Sequence, residues 1–186
     1  MKATELRYQS ILPDLSSHLK KIKEISGGSS DLLINEIEIC GIRTALICCE
    51  GMVSTSTMTE LILHPLMNLK LDNPSPAALF NKIENRMLLS VDRPVAYNYE
   101  DFFRLLNSGF AMLAADGQDS VLAFGVQGYD KRGVDEPSGE NNITGSHDGF
   151  VEVIRSNMSL IRRRMKSPVL VQKLFVMGDK SQTDMC

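Results

Sequence analysis

The chain has 186 residues, of which 43% are apolar, and a net charge of −3. Its length and composition fit one ordinary globular domain with its own core, without need of disulfides or metal. The acidic balance argues against nucleic acid as a partner, since a phosphate-binding domain carries a basic excess.

The opening MKATELRYQS has no apolar run of the secretory kind, so a reducing, intracellular setting is expected for the four cysteines. Residues 12–25 (LPDLSSHLKKIKEI) place Leu15, Leu19, Ile22 and Ile25 at helical spacing, and Gly27-Gly28 supplies a stop. Residues 1–30 are set apart as an N-terminal helical segment, and 31–186 as the α/β unit. Asp31 to Ile39 ends in strand alternation, Cys40-Gly41 turns the chain, and RTALICC (43–49) reads as a second, more buried strand. Thr57 with Glu60 resembles a capping box, and Pro65 is expected to end or kink the helix that follows.

Ala77 to Leu89 reads as a helix, Val95 to Tyr97 as a short strand, and Glu100 to Asn107 as an amphipathic helix stopped by Gly109. Phe110 to Ala115 and Ser120 to Val126 flank Asp116-Gly117, a hairpin signal. Residues 128–149 form a long polar, glycine-rich stretch of the kind found in functional loops. Phe150 to Met165 is a predicted helix and Val169 to Met177 a last strand. The chain then stops without a closing element, which reads as a fragment. No run reaches the ~20 apolar residues of a bilayer span, so the chain itself is expected to be soluble. Interleaved helices and hairpins predict an α/β domain with a central mixed β-sheet and helices on both faces. That sheet is expected to contain 31–39, 43–49, 110–115, 120–126 and 169–177.

The candidate chemistry is sparse. Cys40 and Cys48 fall about seven residues apart along a hairpin, ~23 Å at strand rise, too far for a disulfide or shared metal. Buried structural thiols are expected, with no metal and no cofactor. His18 and His64 have no nucleophile near them in sequence and read as surface or capping residues. His147, beside Asp148, is open to two readings, a ligand contact or a helix start; Ser146 and Asp148 favour the second. No phosphate loop, HExxH or GxSxG is present, so no reaction is named and a non-enzymatic chain is expected.

The basic run SLIRRRMKS is the sharpest local signal. At about 100° per residue, Phe150, Ile154, Met158, Ile161 and Met165 share one helix face. Arg155, Arg162 and Lys166 share the opposite one. Arg162 and Arg163 therefore read as solvated contact residues. Arg164, within the apolar arc close to Asn157, reads as a half-buried structural residue with an acid or carbonyl partner.

Four segments, in order, resemble a known family. They are CCEGMVSTSTMTELILHPLM with its Glu50-Gly51 turn, SGFAMLAADG at 108–117, KRGVDEP at 131–137, and GFVEVIRSNMSLIRRRMKSP at 149–168. Together they resemble the soluble N-terminal domain of the A subunit of GerA-type spore germination receptors, over roughly Leu32 to the C-terminus. One departure stands at 144–150: the family's Arg-Gly-Pro-Arg-Glu-Gly-Phe is here Thr-Gly-Ser-His-Asp-Gly-Phe, without two arginines and a proline.

The resemblance implies a nutrient-sensing receptor subunit acting with B- and C-type subunits, with possible self-association. It would be anchored by a downstream membrane region, with this domain on the spore-core side of the inner membrane. Arg132 and Glu136 in the KRGVDEP phrase, His147, Asp148, Arg162 and Arg163 are then candidate ligand or partner contacts. The alternative is a small-molecule binding domain with 128–149 as its lid; an enzyme of unrecognised type is a third reading.

Overall fold

The computed structural model describes residues 3–87, 89–128 and 149–186. Its first α-helix, α1 (Leu15–Ile25), starts where the Asp14 carboxylate accepts from the Ser17 amide at 2.7 Å. Strands β1 (Leu32–Ile39) and β2 (Ile42–Cys49) follow as a tight hairpin. Cys40 and Gly41 turn it with φ of 52° and 77°, the left-handed pair that a two-residue hairpin needs.

After β2 the chain enters an interrupted helix: α2 (Thr55–Met58), a π turn (Thr59–Leu63) and α3 (His64–Met67). Two expectations are corrected here. The N-cap is Ser54, whose hydroxyl accepts from the Thr57 amide, so Thr57 opens no capping box. Pro65 does not end the helix either. The π turn immediately before it shifts the bonding pattern by one residue, and the chain stays helical through Met67. Helix α4 (Pro76–Arg86) begins behind Ser75, with proline at its first position. Strand β3 (Val95–Ala96) precedes α5 (Tyr99–Leu106), which Asn98 caps by accepting from the Asp101 amide.

Strands β4 (Phe110–Ala115) and β5 (Val121–Gly125) complete a five-stranded sheet ordered β1-β2-β4-β5-β3. All four pairings are antiparallel. Helices cover both faces, as expected. Ala45, Ile47 and Cys49 of β2, with Phe110, Met112 and Ala114 of β4, face α1 and α5. Leu46 and Cys48, with Ala111 and Leu113, face α2, α3 and α4. Burial on both faces explains why these strands read as continuous apolar runs without alternation. It also places the adjacent thiols of Cys48 and Cys49 in opposite cores; all four cysteines are unbridged.

The expected strand at 169–177 is not part of this sheet. Only Phe175–Met177 (β6) is extended, paired with Thr183–Met185 (β7) in a separate ribbon, and β3 takes the fifth place. The predicted helix from Phe150 begins four residues late, as α6 (Ile154–Arg164).

His18 is also corrected. It is buried at 1% exposure, with Nδ1 3.0 Å from the Tyr99 hydroxyl and its ring edge-on to Phe102. Its Nε2 has no hydrogen-bond partner among the described residues. The charged residues around it on α1 point outward while His18 follows Leu15, Leu19 and Ile22 into the core. Burial drives its pKa down to about 4 from 6.5, and pushes the Tyr99 phenol up to about 12.

The unfolded chain takes up a proton at His18 below about pH 6.5, and the folded chain only near pH 4. Stability is therefore expected to rise with pH across that window and to level off above it. The full span amounts to about 3 kcal/mol from this residue. Urea melts of the wild type and His18→Gln at pH 4 to 7.5 check this: the variant's profile should be flatter by that amount, and parallel profiles would refute it.

Candidate functional site: a buried arginine clasp

The loop before β1 and the segment after α6 meet in a polar cluster inside the protein. Asp31 and Arg162 are each nearly inaccessible, at 2% and 3% exposure. The guanidinium grips the carboxylate with two bonds, Nε to Oδ2 at 2.8 Å and Nη2 to Oδ1 at 2.9 Å. Nη2 also donates to the Ser29 hydroxyl at 3.1 Å and the Leu170 carbonyl at 2.9 Å, and Nη1 to the Ser167 carbonyl at 3.1 Å. Ser29 in turn donates to Asp31 at 2.5 Å and accepts from the Gln172 amide at 2.8 Å. A planar fork of fixed donors suits such a set of converging oxygens; an ammonium does not.

The segment after α6 is stitched down beyond the arginine as well. The Ser30 amide donates to the Gln172 carbonyl at 2.8 Å, and the Leu174 amide to the Ser30 hydroxyl at 3.0 Å. The Gln172 side chain reaches the Met158 carbonyl at 3.0 Å. These bonds spend backbone groups that a strand at 169–174 would have offered to the sheet, which is why that strand is missing. Helix α6 is further held by an ion pair between Arg155 and Glu50. It also comes so close to Gly51 that a Cβ there would sit 2.9 Å from the Ser159 Cβ. The acid-glycine turn after β2 thus serves as the seat of the helix.

Arg155, Arg162 and Lys166 do share one side, but it adjoins the apolar arc instead of opposing it: Arg162 lies about 40° from Met158, and both of these turn inward while Arg155 and Lys166 stay exposed. Arg162 is the buried arginine, Arg163 is half-buried and Arg164 is exposed, the reverse of the expected roles for Arg162 and Arg164. Of the supposed core face only Met158 is fully buried; Phe150 and Met165 are exposed at 73% and 55%. The helix lies over the polar turns at 29–31 and 50–51, so its apolar periodicity did not mark the docking side. Asn157 closes the lead-in to α6: its amide accepts from the Val151 N–H at 2.8 Å and donates to the Val151 carbonyl at 2.6 Å. Arg132, Glu136, His147 and Asp148 lie outside the described residues.

Asp31, Ser29 and Gln172 escaped the sequence reading. A polar residue inside VLVQKLFV was the available signal for Gln172. A buried aspartate in SSD looks like any turn residue.

Chemically the cluster holds three chain segments in position. The Arg162, Asp31 and Ser29 side chains are engaged with one another, Gln172 Oε1 has no hydrogen-bond partner among the described residues, and no group of three or more metal-ligating side chains occurs among the described residues. Burial raises Cys48 to about 11 and Cys49 to about 12, so both stay protonated near neutrality. No helix among the described residues is long and apolar enough to cross a membrane.

Comparison with known proteins gives a consistent picture. Residues 20–186 match the family described as Bacillus/Clostridium GerA spore germination protein. Spore germination protein KA of Bacillus subtilis is 30% identical over 182 residues, covering 94% of this chain and 32% of that protein. Spore germination protein B1 of the same organism is 27% identical, covering 91% of this chain and 35% of its own length. The uncharacterized membrane protein YfkQ, also from Bacillus subtilis, is 28% identical over 94% of this chain and 34% of its own. The chain therefore spans about a third of these relatives. Among solved structures, the N-terminal domain of the A subunit of the Bacillus megaterium spore germinant receptor GerK3 superposes with a TM-score of 0.70 at 26% identity. That match covers 95% of this chain and 64% of the solved one.

Removing one partner of a buried ion pair strands the other charge. Arg162→Ala is thus expected to cost about 3–5 kcal/mol, and Asp31→Ala a similar amount. Arg164→Ala, at an exposed site, should cost less than about 1 kcal/mol. Urea melts of these variants and of the Arg162→Met/Asp31→Leu double variant test the point. The double variant should lose much less than the two single losses combined; additive losses would show that the pair is not coupled.

Proposed function

The chain belongs to the Bacillus/Clostridium GerA spore germination protein family, and on that premise we propose that it is the N-terminal domain of a germinant receptor A subunit with a non-enzymatic role in nutrient signalling or receptor assembly. The observation that carries this reading is agreement along nearly the whole chain with the N-terminal domain of a known receptor A subunit. Relatives named as spore germination proteins support it. The geometry agrees with such a role: the polar cluster fixes the position of segments and offers no activated nucleophile. In this reading the domain works beside B- and C-type subunits, is tethered by a membrane region elsewhere in the same protein, and lies on the spore-core side of the inner membrane.

The clasp provides the test, because it holds α6 in place without belonging to an obvious surface. Spores carrying Arg162→Ala in the receptor gene are expected to germinate more slowly with nutrient, while a stimulus that bypasses the receptors acts normally. Immunoblots of the receptor subunits separate the two roles. Falling levels of all subunits point to assembly, and normal levels with a lost response point to signalling. Wild-type germination at wild-type subunit levels would sink the proposal.

A further inference from the structure

The sheet ends on one side at β1, an eight-residue strand with nothing paired to its outer edge among the described residues. Register determines what that edge presents. Ile39 faces Ile42 across the two-residue turn, so Ile39, Ile37, Asn35 and Leu33 exchange bonds with β2. The N–H and C=O groups of Ile34, Glu36 and Glu38 then point away from the sheet. No described residue outside the hairpin donates to them or accepts from them.

Helix α1 covers β2 but stops short of β1. Ala45 and Ile47 are fully buried, whereas Leu32 and Ile34 on the same face are only partly covered. Between helix and strand lies an open groove of about 520 Å³ bordered by Leu19, Lys20, Lys23 and Glu36. Paired strands lie ~4.8 Å apart, so a strand added along β1 would extend the sheet beyond this groove, with the side chains of that face next to those of Leu32, Ile34 and Glu36.

We propose that the outer edge of β1 is an acceptor site for an extended segment of a partner protein, added antiparallel as a sixth strand. The row of β1 facing the groove reads Leu32, Ile34, Glu36, Glu38. A strand running the other way meets the two acids first and the two apolar residues afterwards. The chemistry it needs is basic side chains at alternate positions in its first half and apolar ones in its second. The cations near these acids are Arg43 on β2 and Lys20 and Lys23 on α1. The Arg43 contact to Glu36 is a long 3.4 Å between exposed groups and is the one ion pair these acids make among the described residues, so they retain capacity for cross-strand cations. A second copy of β1 fits less well. Centring two copies on Glu36 sets like charges opposite each other, the arrangement that keeps edges from self-pairing. This inference rests on the hairpin's geometry and stands apart from the receptor reading.

The probe is an acetylated eight-residue peptide alternating valine and lysine in its first half and threonine and valine in its second. Saturable binding by fluorescence anisotropy is expected, with slowed hydrogen exchange at the amides of Ile34, Glu36 and Glu38. Charge reversal by Glu36→Lys with Glu38→Lys should weaken it roughly tenfold. Glu36→Pro removes only an outward N–H and should abolish it in a chain that melts near the wild-type temperature. If Glu36→Pro compromises folding, the exchange data and the charge reversal decide alone. No protection at those amides overturns the proposal, as does equal binding by a peptide with the two halves exchanged. So would a dimer by sedimentation that charge reversal dissociates, because a second copy would then own the edge.

Discussion

A carboxylate and a guanidinium taken out of water are the constraint around which the C-terminal third is arranged. Each charge would be costly to bury alone, and the protein resolves this by surrounding Arg162 with oxygens from two segments. The Asp31 carboxylate and Ser29 hydroxyl come from the loop before β1, and the Ser167 and Leu170 carbonyls from the segment after α6. Satisfying the arginine therefore requires that α6 lie near β1 and that the chain beyond it fold back. Little apolar burial holds α6 in place: Met158 is its one fully buried hydrophobic residue. The helix is docked mainly by Glu50, Asp31 and the close approach at Gly51, and so by polar geometry more than by area.

The rest of the domain is held in the opposite way. The two layers on either side of β2, β4 and β5 are largely apolar, and His18, kept neutral between Tyr99 and Phe102, is buried among them with Thr44 and Asn107. The domain thus combines a core stabilised by hydrophobic burial, which is non-directional, with a periphery stabilised by directed bonds. Burial tolerates small shifts of packing. A bidentate ion pair whose other donors reach fixed carbonyls does not.

Where hydrophobic burial decides, the sequence was legible. The Cys40-Gly41 turn and the apolar runs at 43–49, 110–115 and 120–126 placed four of the five strands within a residue or two, and the spacing of Leu15, Leu19, Ile22 and Ile25 placed α1, which starts three residues later than expected. The short strand at Val95 was visible as well. Where directed polar bonds decide, it was not. Arg162 looked solvated because its face of α6 is charged, and nothing local announces that the facing surface carries Asp31. The apolar run after Pro168 looked like a strand because periodicity cannot tell which backbone groups are already spent. Thr57 and Glu60 fit a capping box, yet Ser54 sits three residues earlier with an equally suitable hydroxyl. Four of the proposed contact residues fall at 132–148, outside the described residues, so their contacts stay part of the family expectation.

The clasp also fixes something that apolar contacts alone would leave loose, the register of the segment after α6. Val169 and Val171 there are exposed at 54% and 38%, and would lose little by moving one place along. Gln172 would not. Its amide, carbonyl and side chain bond to Ser29, Ser30 and Met158, while the Leu170 carbonyl two residues earlier caps Arg162. A slip of one residue in an extended segment exchanges inward for outward side chains, and here would bring Val171 or Lys173 against the Ser29 hydroxyl and leave the Arg162 fork short of a carbonyl. The cost of stranding those groups discriminates between registers more sharply than valine packing does. On this argument a buried ion pair that adds little net stability over an apolar pair still earns its place, by permitting one alignment of residues 167–174 and penalising its neighbours.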